Sequence, residues 1–171
     1  VAATLDGFIA DPQGGYDWIV MDESIDFAAM YAEFDAFVMG RKTWDVSAAV
    51  DPATMGMDDM FAGKEVIVFS RTLKTARPGV KVVNTDPAET VRALKQKPGE
   101  DIWLFGGGSM FRTLVDADLV DTVEVALMPV LLSQGVPLLA PGKRVTGMKL
   151  DKCETLPKSG IVMLSYSIPH E

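Results

Sequence analysis

Ala36-Phe37-Val38-Met39-Gly40-Arg41-Lys42-Thr43-Trp44 is a short apolar run that stops at glycine and passes straight into helix-compatible residues. The same design returns at Ile102-Trp103-Leu104-Phe105-Gly106-Gly107-Gly108-Ser109. Glycine lets backbone amides approach a ligand closely. A helix that follows adds unpaired N–H groups and the positive end of its dipole. Each junction is therefore a candidate phosphate cradle. Two in one chain point to a ligand with several phosphates, for which a dinucleotide is the natural candidate.

Outward from these corners, strand and helix signals alternate. Val1 to Ala10 is β-compatible with a break at Asp6-Gly7, and Asp11 to Gly15 is a turn. Asp22 to Phe34 has the spacing of a helix buried over a broad face. Ala36 to Met39 reads as a buried strand and Arg41 to about Val50 as a helix, followed by a loop over Asp51 to Gly63. Val66 to Phe69 and Val80 to Val83 are strands. Asp86-Pro87-Ala88-Glu89 is a strong helix start, with Asp86 as N-cap and Pro87 at the first helical position; that helix ends near Lys97-Pro98-Gly99. Ile102 to Phe105 leads into a helix from Ser109 to about Val115. After Asp121 only strands are predicted, over Thr122 to Val130, Val145 to Cys153 and Ile161 to Ile168. Crossover units give a parallel sheet, and the strand-only tail gives an antiparallel addition at one edge.

Composition narrows the function classes. The 171 residues are 48% apolar, which suits one domain spanning 1–171, and no apolar run approaches a membrane span. A formal net charge of −8 disfavours nucleic acid or an anionic membrane as partner, so phosphate binding must be local. Cys153 is the only cysteine, which rules out an internal disulfide, fits a reducing cytosol and makes a cysteine-based zinc site unexpected. His170 is the only histidine and sits beside the last residue, so neither a His-based triad nor a metal site is expected. The chain opens at Val1 inside a strand pattern, and a few preceding residues are expected to lie outside this numbering.

Gly40-Arg41-Lys42-Thr43 carries the most chemistry. The helix opening and the Thr43 hydroxyl suit a pyrophosphate, and Arg41 or Lys42 suits a further phosphate such as the one that separates NADP from NAD. Cations at a helix N-terminus oppose the dipole, and a bound anion would offset that. The triple glycine is not the Gly-x-Gly-x-x-Gly fingerprint, because Phe111 stands where the third glycine is required. Ser70-Arg71 ends the next strand and is either a second phosphate contact or a solvated strand end. Asp22, Glu23 and Asp26 either serve a substrate ring or stabilise a first helical turn. Asp6 is a turn former or a ligand contact, and Trp18 a stacking platform or packing. Asp6 and Asp26 are the catalytic candidates, with Trp18, Asp22 and Phe27 as substrate contacts.

The order of Thr4-Leu5-Asp6-Gly7-Phe8-Ile9-Ala10, Val38 to Trp44, Val68-Phe69-Ser70-Arg71 and Ile102 to Ser109 resembles the dihydrofolate reductase superfamily. Leu5-Asp6-Gly7 and Met128 to Leu139 resemble one branch of it more closely. That branch is the C-terminal reductase domain of the bifunctional riboflavin-biosynthesis deaminase/reductase, with its stand-alone relatives. The resemblance implies an α/β fold: a mostly parallel eight-stranded sheet, flanking helices and an antiparallel C-terminal edge. It also implies NADPH as coenzyme. Carried over, Gly40, Arg41, Lys42 and Thr43 hold phosphates, and Ser70 and Arg71 hold the adenosine end. Gly106, Gly107, Gly108, Ser109 and Met110 line the pyrophosphate and nicotinamide side, where Ala2, Ala3 and Ile9 also touch the nicotinamide.

One departure bears on substrate. The register at which dihydrofolate reductases place their acid falls on Ser24 here. The resemblance therefore favours a cytoplasmic NADPH-dependent reductase of a ribosylaminopyrimidine-type heterocycle. Dihydrofolate reductase proper is the first alternative and a non-catalytic nucleotide-binding module the second. A small-molecule substrate is implied, with a homodimer through the C-terminal strands as a further implication; the apolar 121–139 region is compatible with pairing and equally with core.

Overall fold

The computed structural model describes residues 1–49 and 60–170. The helix end expected at Val50 and the 51–59 part of the expected loop lie outside the described residues, while Met60 and Phe61 are helical. The class is the one the sequence implied, α/β with parallel strands, flanking helices and antiparallel C-terminal strands, but the described strands fall into two four-stranded sheets and a two-stranded ribbon rather than one eight-stranded sheet. The chain forms two compact units, Asp26–Thr113 and Val1–Ile25 with Leu114–Glu171.

In the Asp26–Thr113 unit, α1 (Phe27–Ala32) leads into β3 (Phe34–Gly40), and α2 (Arg41–Ala49) into β4 (Glu65–Phe69). Then come β5 (Val80–Val83), α3 (Pro87–Leu94), β6 (Asp101–Gly106) and α4 (Gly108–Asp116), whose last turn passes into the other unit. The four strands are all parallel, in the order β5-β4-β3-β6. Parallel strands are buried on both faces, which is why Ala36-Phe37-Val38-Met39 and Val66-Ile67-Val68-Phe69 are unbroken apolar runs without alternation. Phe37 lies at the centre, its ring 5.3 Å from Trp103, 5.0 Å from Phe61 and 6.0 Å from Phe105. Asp86 caps α3 as read, its carboxylate accepting from the Ala88 amide at 2.9 Å with Pro87 in the first turn.

In the other unit, β1 (Ala2–Thr4) and β2 (Phe8–Ala10) flank the Asp6-Gly7 turn. They are joined by β7 (Thr122–Met128), β8 (Val136–Pro137), β9 (Lys149–Leu156) and β10 (Ile161–Ser167). The sheet order is β1-β7-β10-β9, with β1 parallel to β7 and the rest antiparallel. β2 and β8 form a separate antiparallel ribbon. Met128, Leu156 and Ile161 centre the core here, with Trp18, Ile19, Val20 and Ile25 packed on them. β9 is an edge strand on which every residue but Leu156 is exposed, and its pairing with β10 shifts register near Asp151.

Several expectations need correction. The first helix is six residues long rather than running from Asp22 to Phe34. Asp22 and Ser24 close a turn ahead of it, and Phe34 already belongs to β3. Its burial is one-sided, with Phe27, Met30 and Tyr31 half-buried and Ala28, Ala29 and Ala32 exposed. The third helix stops at Leu94, short of Pro98. β7 ends at Met128, before Pro129, which carries no N–H for a ladder. The strand expected over Val145 to Cys153 runs instead from Lys149 to Leu156, and β8 was not anticipated at all.

Candidate functional site

The order β5-β4-β3-β6 reverses direction between β3 and β6, because β3, β4 and β5 are laid outward one way and β6 returns to the other side of β3. Such a switch point opens a crevice at the carboxyl ends of the strands, where ligands of open α/β sheets bind. The two glycine corners stand there. Met39 is in register with Gly106, and a Cβ placed on Gly40 would lie 3.9 Å from the Gly106 carbonyl oxygen. Gly106 has φ +139°, a conformation that side-chain-bearing residues rarely take. A Cβ there would also come within 3.3 Å of Thr43 Oγ1, and one on Gly107 within 3.5 Å. Gly40, Thr43, Gly106 and Gly107 thus form one close junction, and at Gly106 the backbone conformation favours glycine.

From it two helices open, α2 at Arg41 and α4 at Gly108. The amides of a first helical turn have no partner within the helix. In α4 the first bond of this type runs from the Phe111 amide to the Gly107 carbonyl at 3.0 Å, which leaves the Gly108, Ser109 and Met110 amides ahead of it. Arg41 Nε donates to Asp45 Oδ1 at 2.6 Å and to Oδ2 at 2.8 Å, and Lys42 is exposed on the same helix.

Along the same edge, a cleft of about 270 Å³ lies at the ends of β4 and β5. Phe69, Ser70, Arg71, Val83 and Met110 line it, joined by Asn84 and Thr85 from the segment ahead of α3 and by Pro87, its first residue. It brings together Ser70, Arg71 and Met110, three residues selected from sequence. Asn84 and Thr85 were missed; the available signal was their polar run between a strand end and the Asp86 cap. Ser70 Oγ accepts from the Leu73 amide at 2.9 Å, which turns the chain after β4 and leaves Arg71 exposed. A larger recess of about 490 Å³, lined by Phe61, Lys64, Arg77 and Val80 among others, includes none of the selected residues.

The acids chosen for catalysis turn out to be occupied. Asp26 is the N-cap of α1, its carboxylate accepting from the Ala29 amide at 2.9 Å. Asp6 accepts from the Thr4 hydroxyl at 2.6 Å and from the Leu132 and Ser133 amides at 3.2 and 2.7 Å. The Thr4 hydrogen bond, more than any other contact, lowers its pKa. A carboxylate so held stays ionised and ties the β1–β2 turn to the 132–133 segment; it is poorly suited to donating a proton. Asp22 is pushed down to about 2, first by a hydrogen bond from Ser159 and then by Ser24, whose hydroxyl lies 2.6 Å away. Trp18 is half-buried, packs into the core and donates to the Gly15 carbonyl at 3.3 Å. Phe27 is half-buried, with its ring 6.0 Å from Tyr31. Ala3 is buried beside Leu127 in β1, and Ile9 is half-buried in β2. His170 bridges Asp118 at 2.9 Å and Asp121 at 3.0 Å. Among the described residues no group of three or more His, Cys, Asp or Glu is placed to hold a metal, and no helix is long and apolar enough to cross a membrane.

Comparison with known proteins agrees with this architecture. Residues 1–162 match the family model of the RibD C-terminal domain. The uncharacterized Bacillus subtilis protein YyaP is 33% identical over 172 residues, covering 97% of this chain and 91% of its own. A crystal structure of a candidate riboflavin biosynthesis protein from Shewanella sp. PV-4 superposes with a TM-score of 0.80 at 27% identity, covering 99% of this chain and 97% of that one. The Thermotoga maritima deaminase/5-amino-6-(5-phosphoribosylamino)uracil reductase shares the fold with a TM-score of 0.70 at 18% identity; 98% of this chain covers 55% of that larger protein. The chain belongs to the RibD C-terminal domain family, a family of reductase domains with a dihydrofolate-reductase-like fold.

Proposed function

We propose that this protein is an NADPH-dependent reductase acting on a small ribosylaminopyrimidine-type heterocycle. The observation that carries the reading is the junction at the switch point, where Gly106 at φ +139° stands against Thr43 between two helix openings. Glycine lets the backbone approach a pyrophosphate closely, and the two helix openings beside it present amides to anionic oxygen. In this reading the Gly106–Met110 backbone and Thr43 hold the pyrophosphate, Arg41 and Lys42 the 2′-phosphate, and Ser70 and Arg71 the adenosine end. Ala3 and Ile9 keep the nicotinamide-contact role that the family resemblance implies. NADPH supplies the hydride when bound, and the chain's task is to fix donor and acceptor at short range and keep water out.

The domain is read as a single reductase unit over 1–171, cytoplasmic, working on a small molecule without nucleic acid or membrane, with a second copy of the chain as its partner. Ser24, in place of an acid, and the tethering of Asp22 argue for a pyrimidine rather than dihydrofolate as substrate.

Titration with NADPH and NADH tests the coenzyme. Tighter binding of NADPH is expected, and Arg41→Ala should weaken NADPH by about tenfold or more, as for loss of a hydrogen bond to a charged group, while NADH changes little. Equal losses for the two coenzymes would remove Arg41 from the 2′-phosphate. NADPH oxidation with a panel of pyrimidines and pterins then tests the substrate. Turnover of dihydrofolate would restore the folate reading, and tight NADPH binding with no turnover on any of them would favour a binding module.

A further inference from the structure

We propose that Asp45 sets the coenzyme preference of this chain by competing with phosphate for Arg41. The inference rests on the NADPH reading and adds a residue that opposes it.

Arg41 is the first residue of α2, directly after the glycine that ends β3. Its Nε donates to both oxygens of Asp45, one helical turn on, and the two side chains are 39% and 50% exposed. Helix stability does not account for this pair. The favourable arrangement puts the acid toward the N-terminus and the cation after it, whereas here the cation stands at the positive end of the dipole. The arrangement is reasonable if an anion arrives at the helix opening and takes the guanidinium. Asp45 then occupies Arg41 until that happens.

The effect of such an acid depends on what the ribose carries. A 2′-phosphate must displace the carboxylate from Nε and then tolerate a negative charge within one turn of its own. A 2′-hydroxyl carries no charge and meets neither penalty. Asp45 therefore lowers affinity for the phosphorylated coenzyme and leaves the other unaffected. Being exposed, the pair exchanges readily, so the expected effect is modest.

The test compares the wild-type chain with Asp45→Asn and Asp45→Ser by calorimetric titration with NADPH and with NADH at one fixed ionic strength. Both variants should bind NADPH about two- to fivefold more tightly, with NADH affinity unchanged. The thermal midpoints of the apo variants should stay near the wild-type value, separating the effect from a change in folding. Weaker or unchanged NADPH binding, or parallel tightening of both coenzymes, would overturn the proposal. If the wild-type chain binds neither coenzyme, the NADPH reading falls and this inference with it. If it binds NADPH and the ratio does not move, only the role of Asp45 is lost.

Discussion

Charge fastens the chain in both units, as Glu65 does with Lys81 and Lys97 in one of them, and the units differ in what else they leave exposed. In Val1–Ile25 with Leu114–Glu171, Asp6 clamps the 132–133 backbone, Asp22 is bonded to Ser24 and Ser159, and His170 bridges two aspartates. These polar groups hold segments of the chain to one another. In Asp26–Thr113 the interior is aromatic and aliphatic, and Lys42, Ser109 and Arg71 stand exposed at the carboxyl edge of the parallel sheet. The contrast separates residues that look chemical from residues placed to do chemistry. An acid whose acceptor capacity is met by its own chain is a fastener. A helix opening beside a glycine junction still has amides to offer.

The largest effect is expected in the aromatic interior. Phe37→Ala should cost about 3–5 kcal/mol, since it empties a fully buried site, and urea unfolding would measure it. A loss below about 1 kcal/mol would mean that the surrounding rings collapse freely into the space and that this interior is less specific than its packing suggests. Next comes the junction. Gly106→Ala should weaken NADPH by about tenfold or more, equivalent to roughly 1.4 kcal/mol per factor of ten. Gly147→Ala, also at a positive φ (+79°) but in the other unit, should cost stability and leave coenzyme affinity unchanged. If both variants affect NADPH alike, the division between the regions fails.

The smallest effect is a pH dependence. Asp22 has a folded pKa of about 2 against an ordinary value of 3.8, so its stabilising contribution is present above 3.8 and lost as pH falls through 2. Asp22→Asn should therefore lower the unfolding midpoint at neutral pH, and the gap from wild type should close between pH 4 and 2. NADPH affinity should not follow. A gap that stays constant across this range would show that the carboxylate charge contributes nothing.

The parallel sheet and its corners were legible because their signals are local. An apolar run, a stop at glycine and a helix opening lie within nine residues, and Asp86-Pro87 marks its helix unaided. The acids were not legible because their partners are remote. Asp6 meets Leu132 and Ser133 across more than a hundred residues, and Asp22 meets Ser159 in the same way. β8 escaped notice since Val136-Pro137 has no pattern of its own and becomes a strand only by pairing with β2. β9 was displaced in the reading because charged residues occupy both its faces and erase the alternation that marks a strand. The Asn84-Thr85 wall of the cleft was overlooked since its polarity served equally well as a helix lead-in.

That outer strand has a consequence for how the protein behaves at high concentration. A row of unsatisfied backbone groups invites a foreign strand to dock and extend the sheet into a fibre. Lys149, Asp151, Lys152 and Glu154 would bring their hydration shells into any such contact, and the irregularity near Asp151 bends the template out of line. Crowded samples should therefore resist strand-on-strand stacking for as long as those four charges remain.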